Sequence, residues 1–151
     1  MALKATLKTD LAAAAKARDK LRLSTLRMLL AALHNREIEA RRELTDAEAL
    51  DTVGKLIKQR QDSALQFRGG GRVDLAEKEE AEIGLLSGYL PVPLGPAELA
   101  AKVDEAIAKA GARSPRDMGA VMKLLLPEIA GRADGKTASQ MVQERLRAMG
   151  A

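Results

Sequence analysis

Apolar residues recur along most of this chain at intervals of three and four, the spacing that keeps side chains on one face of an α-helix. The spacing predicts a first helix over about 2–17, with Leu3, Leu7 and Leu11 in register. Asp19 can cap a second helix, which carries Leu23, Leu26, Leu30 and Leu33 on one stripe and runs to about Arg42. Thr45-Asp46-Ala47-Glu48 has the form of a capping box, in which hydroxyl and carboxylate satisfy the free N–H groups of a helix start. The third helix begins there, turns Leu50, Val53, Ile57 and Ala64 inward, and stops at Gly69-Gly70-Gly71. A fourth spans about 73–87.

Pro91, Pro93 and Pro96 then break every period, because proline lacks the N–H that a helix interior and a central strand both need. Residues 91–96 therefore read as a stiff, proline-rich linker. It separates an N-terminal domain, 1–90, from a C-terminal three-helix domain, 97–151, whose helices are written over about 96–110, 115–129 and 134–149. Ser114-Pro115-Arg116-Asp117 is a strong start signal, with a serine cap, proline at the first helical position and a carboxylate in the first turn. The expected fold class is all-α: two helical subdomains, an N-terminal bundle of about four helices and a C-terminal three-helix subdomain.

Composition agrees. Phe67 and Tyr89 are the only aromatic residues among 151, so packing must come from Leu, Ile, Val, Met and Ala. Without cysteine there is neither a disulfide framework nor a thiolate metal site, which fits a reducing interior. The first 17 residues alternate apolar and charged positions, and no apolar run approaches membrane-spanning length. A cytoplasmic location with no membrane partner is the expectation.

A net charge of +4 is modest but unevenly spread. Arg18–Arg42 holds seven basic residues against three acidic, and Lys55–Arg72 five against one, while Asp74–Glu82 holds five acidic against one basic. Such separation predicts basic surfaces for a polyanion and an acidic helix that repels one or pairs internally.

Candidate chemistry concentrates in Gly131-Arg-Ala-Asp-Gly-Lys-Thr-Ala-Ser-Gln-Met141, a glycine-rich basic turn running into a helix start, where backbone N–H groups and a cation favour a phosphate oxygen. It is not a nucleotide-binding P-loop. Only three residues separate Gly131 from Gly135, and the preceding segment reads as helix, whereas a P-loop follows a strand. The turn reads instead as a helix–turn–helix junction, with Arg132 and Lys136 flanking the anion position and Arg113, Arg116 and Lys123 extending the surface. Its plain structural alternative is a helix C-cap at Gly131 followed by an N-cap at Asp134 or Thr137.

Catalysis has little to draw on. His34 is the sole histidine, and with Glu37 it makes at most two metal ligands. Ser24 and Thr25 lie mid-helix, where hydroxyls bond back to the preceding turn. The acidic cluster Asp74, Glu77, Glu79, Glu80 and Glu82 points around its helix without converging, and Arg68-Gly-Gly-Gly-Arg72 reads as a C-cap. No catalytic residue, metal ligand set or cofactor is assigned. Two scattered aromatics make no stacking platform for single strands, so any RNA contact should rest on shape and phosphates. Leu85, Leu86, Tyr89 and Leu90 offer either a patch for a protein partner or filling for the bundle.

Several segments in order, Ala17-Arg-Asp-Lys-Leu-Arg-Leu-Ser-Thr-Leu-Arg-Met-Leu-Leu30, Leu56-Ile-Lys-Gln-Arg-Gln-Asp-Ser63, Gln66-Phe-Arg-Gly-Gly-Gly-Arg72, Tyr89-Leu-Pro91, Ser114-Pro-Arg-Asp-Met-Gly119 and Gly131-Arg-Ala-Asp-Gly-Lys136, closely resemble the YqeY family over essentially the whole chain. These small proteins look like the C-terminal tail of GatB, a subunit of the tRNA-dependent amidotransferase. The resemblance implies two helical subdomains and a tRNA-contact role, with an amidotransferase or an aminoacyl-tRNA synthetase as possible protein partners. The carbon–nitrogen ligase label (glutamine as amido-N-donor) attached to the family belongs to a cradle domain of GatB that this sequence lacks. One departure is visible: the family usually follows Tyr-Leu-Pro with a basic residue, and here Val92 stands in its place.

Overall fold

A computed structural model describes residues 2–150, and every regular element among them is helical. In chain order these are α1 (Ala2–Lys16), α2 (Lys20–Ala40), α3 (Asp46–Gly69), α4 (Val73–Ser87), α5 (Pro96–Ala110), α6 (Met118–Ile129) and α7 (Gly135–Met149), with a short 3-10 turn over Pro115–Asp117 before α6. The chain divides into two compact units, one ending at Leu90 and the next starting at Pro91.

In the first unit α3 and α4 lie along one another, α1 packs on α2, and α2 contacts both α3 and α4. Leu7, Leu26, Leu29, Leu33, Val53 and Leu86 are fully enclosed there, each burial stabilising by roughly 1.5–3 kcal/mol. Leu29 was absent from the stripe read off the sequence; the buried face of α2 is wider than one leucine row. Thr25 shares that face, only 1% exposed, and its hydroxyl has no hydrogen-bond partner, unlike Ser24, which donates to the Leu21 carbonyl at 3.0 Å. The expectation that both hydroxyls bond back to the helix therefore holds for Ser24 alone, because Thr25 points into the core.

The second unit closes α5, α6 and α7 around Val103, Ile107, Val121, Leu125, Val142 and Leu146. Its middle helix departs from the sequence reading at its start. Residues 115–117 form a 3-10 turn, since Asp117 spends its carboxylate on the N–H groups of Arg113 at 2.9 Å and Ser114 at 3.3 Å. Pro127 sits in the last turn of α6 on the exposed side and, lacking an N–H, cannot bond back to the Lys123 carbonyl.

Local signals set the helix ends. Asp19 accepts the Arg22 N–H at 3.1 Å, and Thr45 and Glu48 close a reciprocal capping box at 3.2 and 3.1 Å. At the other ends, four turns share one pattern: a residue with positive φ donates back into the last helical turn while its successor reaches one carbonyl deeper. Two of these positions hold glycine, Gly71 (φ 76) and Gly111 (φ 64). The other two, on either side of α2, hold arginine: Arg18 (φ 55) and Arg41 (φ 56).

Candidate nucleic-acid interface

Which cations can meet an external anion depends on which are already paired. In the first unit, α4 answers the basic stretch of α3. Glu82 accepts from Arg60 at 2.9 Å, Glu80 grips the Arg68 guanidinium with two 2.8 Å bonds, and Asp74 pairs with Arg72. Three members of the acidic cluster are thus the partners of the three arginines in Lys55–Arg72, and the arginines bracketing the triple glycine are committed. Asp51 takes Lys55 at 3.1 Å and Arg36 at 3.2 Å. Glu37, the residue considered beside His34 as a ligand, is held by Lys4 and by the Leu44 N–H, which keep its carboxyl below the usual range. No group of three His, Asp or Glu side chains converges among the described residues as a metal ion would require.

Within the second unit Lys102 pairs with Glu128 at 3.1 Å, Lys109 with Glu105 at 2.8 Å, and Arg145 with Asp104. Arg113, Arg116, Lys123 and Lys136 are exposed, and none forms an ion pair among the described residues. These are four of the five residues singled out from the sequence. The fifth, Arg132, is half-buried and differently occupied: its Nε donates to the Val92 carbonyl at 2.9 Å, and its own carbonyl accepts the Leu94 N–H at 2.8 Å. Arg132 therefore ties residues 92–94 to the α6–α7 turn.

That turn has a left-handed Gly131 (φ 72), and Asp134 caps α7. The Asp134 carboxylate takes the Lys136 N–H and the Thr137 hydroxyl, each at 3.3 Å. The N-terminal amides of α7, read from the sequence as a phosphate cradle, thus already face an internal anion. What remains at this corner is the free ammonium of Lys136.

The exposed cations also occupy two ends of the unit. Gly150, just past α7, packs on the backbone of Arg113 and Ser114, so closely that a methyl there would stand 2.6 Å from the Arg113 carbonyl oxygen. Arg113 and Arg116 accordingly lie at the C-terminal end of α7, and Lys136 at its start, about 20 Å away along a helix of 15 residues. Lys123 falls between them on the outer face of α6, opposite the buried Val121 and Leu125. One residue escaped the sequence reading. Arg147 is exposed, unpaired among the described residues, and lies on the same face of α7 as Lys136, Gln140 and Gln143, a relation visible in their spacing of four, three and four. The arrangement is a track of separated cations along two helices, suited to successive phosphates and not to one small ligand.

A shallow groove between α5 and α6, floored by Ala106, Leu124 and Leu125, holds about 70 Å³ and is bordered by the Lys102–Glu128 pair, far below the several hundred that ligand sites enclose. The apolar set near the linker is largely consumed: Leu86 is fully buried, and Tyr89 and Leu90 pack against the first core. Among the described residues no helix is long and apolar enough to cross a membrane.

Comparison with known proteins places this architecture. The chain is 41% identical over 114 residues to "Altered inheritance of mitochondria protein 41, mitochondrial" of Lachancea thermotolerans, covering 74% of this chain and 61% of the relative. The protein of the same name from Pyrenophora tritici-repentis is 32% identical over 142 residues, covering 91% and 77%. That from Saccharomyces cerevisiae is 36% identical over 85 residues, covering 56% and 46%. The chain spans about half to three-fifths of the length of most of these relatives. A family model described as "Yqey-like protein" matches residues 4–146, nearly the whole sequence, and the chain belongs to the YqeY family.

Proposed function

We propose that this protein is a tRNA-associated helical module, which contacts the phosphates of a folded RNA and has no catalytic centre of its own. The observation that carries the reading is the sorting of charge in the second unit: Lys102, Lys109 and Arg145 are ion-paired, whereas Arg113, Arg116, Lys123 and Lys136 face solvent without an acidic partner among the described residues. Charge left unpaired along a rigid helical surface is what sequence-independent phosphate contact uses. The near-absence of aromatic residues supports a structured RNA over a single strand, and the resemblance to the GatB tail supports tRNA in particular. Arg132 acts in this reading as a positioning residue that holds the linker against the basic corner. Amidotransferases and aminoacyl-tRNA synthetases, which handle the same RNA, are the protein partners it suggests. The fungal relatives' names place those proteins in mitochondria, so the compartment we infer is one that holds tRNA, the mitochondrial matrix or the cytoplasm.

The test is an anisotropy titration of the full chain with labelled tRNA and with a size-matched unstructured RNA over a salt series. Tighter binding of tRNA is expected, with the slope of log affinity against log salt falling by about one to two when Lys123 and Lys136 are both changed to Gln. Equal affinity for the two RNAs, or a slope untouched by the double substitution, would sink the assignment.

A further inference from the structure

The first unit carries a second row of basic side chains. Lys20, Arg27, His34 and Arg41 stand at steps of seven along α2 and its C-terminal turn, about 10 Å apart for two helical turns. All are exposed, as are Ser24, Ala31, Asn35 and Ile38 between them, while Thr25, Leu26, Leu29 and Leu33 take the opposite face into the core. Arg18 precedes the helix. None of Arg18, Lys20, Arg27 or Arg41 forms an ion pair among the described residues, in contrast to Arg36, Arg42, Arg60, Arg68 and Arg72. The nearby acids are mostly spent: Asp19 caps the helix and pairs with Arg22, and Glu37 is held by Lys4. Glu39 is exposed, but it lies nearly half a turn round the helix from His34 and Arg41, its neighbours in the row.

The backbone supplies an independent observation. Arg18 and Arg41, which bracket this face, adopt the left-handed conformation at the position where Gly71 and Gly111 end other helices of the same chain. A side chain there costs conformational energy that glycine avoids, and at both sites the side chain kept is an exposed guanidinium.

We infer that the outer face of α2, from Arg18 to Arg41, is a phosphodiester-binding surface for a structured RNA, separate from the cations of the second unit. The inference rests on the RNA reading above for the nature of its partner. Charge complementarity selects a polyanion, and the straight row, about 30 Å long, selects an extended one. Between the cations lie the Ser24 hydroxyl, the His34 ring and the Asn35 amide, groups that bond phosphate and sugar oxygens. An anionic membrane fits less well. Interfacial helices sink an apolar face into the lipid, and that face of α2 is already buried, leaving Ile38 as the one large apolar side chain on the row.

The experiment uses the full chain with labelled tRNA across a salt series, comparing wild type, Lys20→Gln/Arg27→Gln, the single variants Arg18→Gly and Arg41→Gly, and the second-unit variant Lys123→Gln/Lys136→Gln. The double α2 variant is expected to lower the salt slope by about one and a half to two, and each glycine variant by about one. The glycine variants should at the same time melt a few degrees higher than wild type, so that their lost affinity cannot come from unfolding. Slopes unchanged by every α2 substitution while Lys123→Gln/Lys136→Gln flattens its own would overturn the inference and leave the second-unit reading standing; the reverse pattern would support it and remove that site. Co-sedimentation with phosphatidylglycerol/phosphatidylcholine vesicles that is lost in the α2 variants, without a change in tRNA slope, would assign the face to a membrane and overturn it as well.

Discussion

The Tyr89 hydroxyl donates to the Asp10 carboxylate at 2.6 Å, joining the end of the first unit to its first helix across 79 residues of chain. Burial, then the hydrogen bond and charge of Asp10, push the phenol up from 10.0 to about 12. The folded state therefore holds the phenolic proton more tightly than the unfolded chain. This contribution is complete below pH 10 and is lost as pH rises towards about 12. Tyr89→Phe should cost about 1 kcal/mol at neutral pH, the low end for a charged acceptor because the pair is partly solvated. Melting curves of wild type and variant, recorded against pH, should converge over that alkaline interval; a constant gap would show that the phenol's ionisation is not coupled to folding.

Thr25 gives a stabilising prediction. Its hydroxyl is enclosed and unpartnered, so Thr25→Val keeps the shape and removes a desolvated polar group. Stability should rise by about 1 kcal/mol in denaturant unfolding, with the slope of the transition unchanged. A destabilised variant would mean that the hydroxyl has a partner in solution.

Arg60 and Glu82 form a largely enclosed pair between α3 and α4, their side chains 13% and 14% exposed. Arg60 also donates to the Leu56 carbonyl at 3.1 Å. Removing one partner strands a charge: Glu82→Leu or Arg60→Met alone should each cost about 2 kcal/mol. The double change Arg60→Met/Glu82→Leu should recover most of that loss. A double-mutant cycle by chemical denaturation checks the coupling, and additive losses would refute it.

At the start of α3, the hydrogen bond from Arg42, followed by the Thr45 N–H, holds the Glu48 carboxyl down to about 2. A lowered value means that its contribution is present above 4.5 and disappears as pH falls towards about 2. Glu48→Gln should flatten the acid limb of the stability profile in that window. Thr45→Ala, which removes the other half of the box, should cost about 1 kcal/mol at every pH. Thermal melts across the acid range distinguish the two patterns.

Arg132 predicts a local effect. Arg132→Gln removes the guanidinium bond to the Val92 carbonyl but keeps the backbone bond to Leu94. Limited proteolysis after residues 90–93 should speed up severalfold while the melting temperature of the second core stays within about 2 °C of wild type. An unchanged cleavage rate would show that the side chain does not hold this segment.

The all-helical fold was legible because its signals are local. Thr45 and Glu48 lie within one turn, as do Asp19 and the Arg22 N–H it caps, so their chemistry follows from spacing alone. The stripes through Leu7, Leu26 and Val53 named core residues because a helix face is fixed by its period. The 3-10 turn at 115–117 was not legible, since proline followed by a carboxylate suits either the first turn of an α-helix or a tighter one.

For the candidate site the division is sharper. Sequence alone determined where the charges stand along the chain, including the basic stretch Lys55–Arg72 and the acidic stretch that follows. It did not determine which cations remain available. Arg60 and Glu82 are 22 residues apart, Arg68 and Glu80 are 12 apart, and only the packing of α3 on α4 brings them together. The same holds for Arg132, whose partner Val92 lies 40 residues earlier. Ion pairing decays within a few ångströms in water, so availability is a property of neighbours in space. Tertiary structure decided that the unpaired cations lie on the outer faces of α2, α6 and α7.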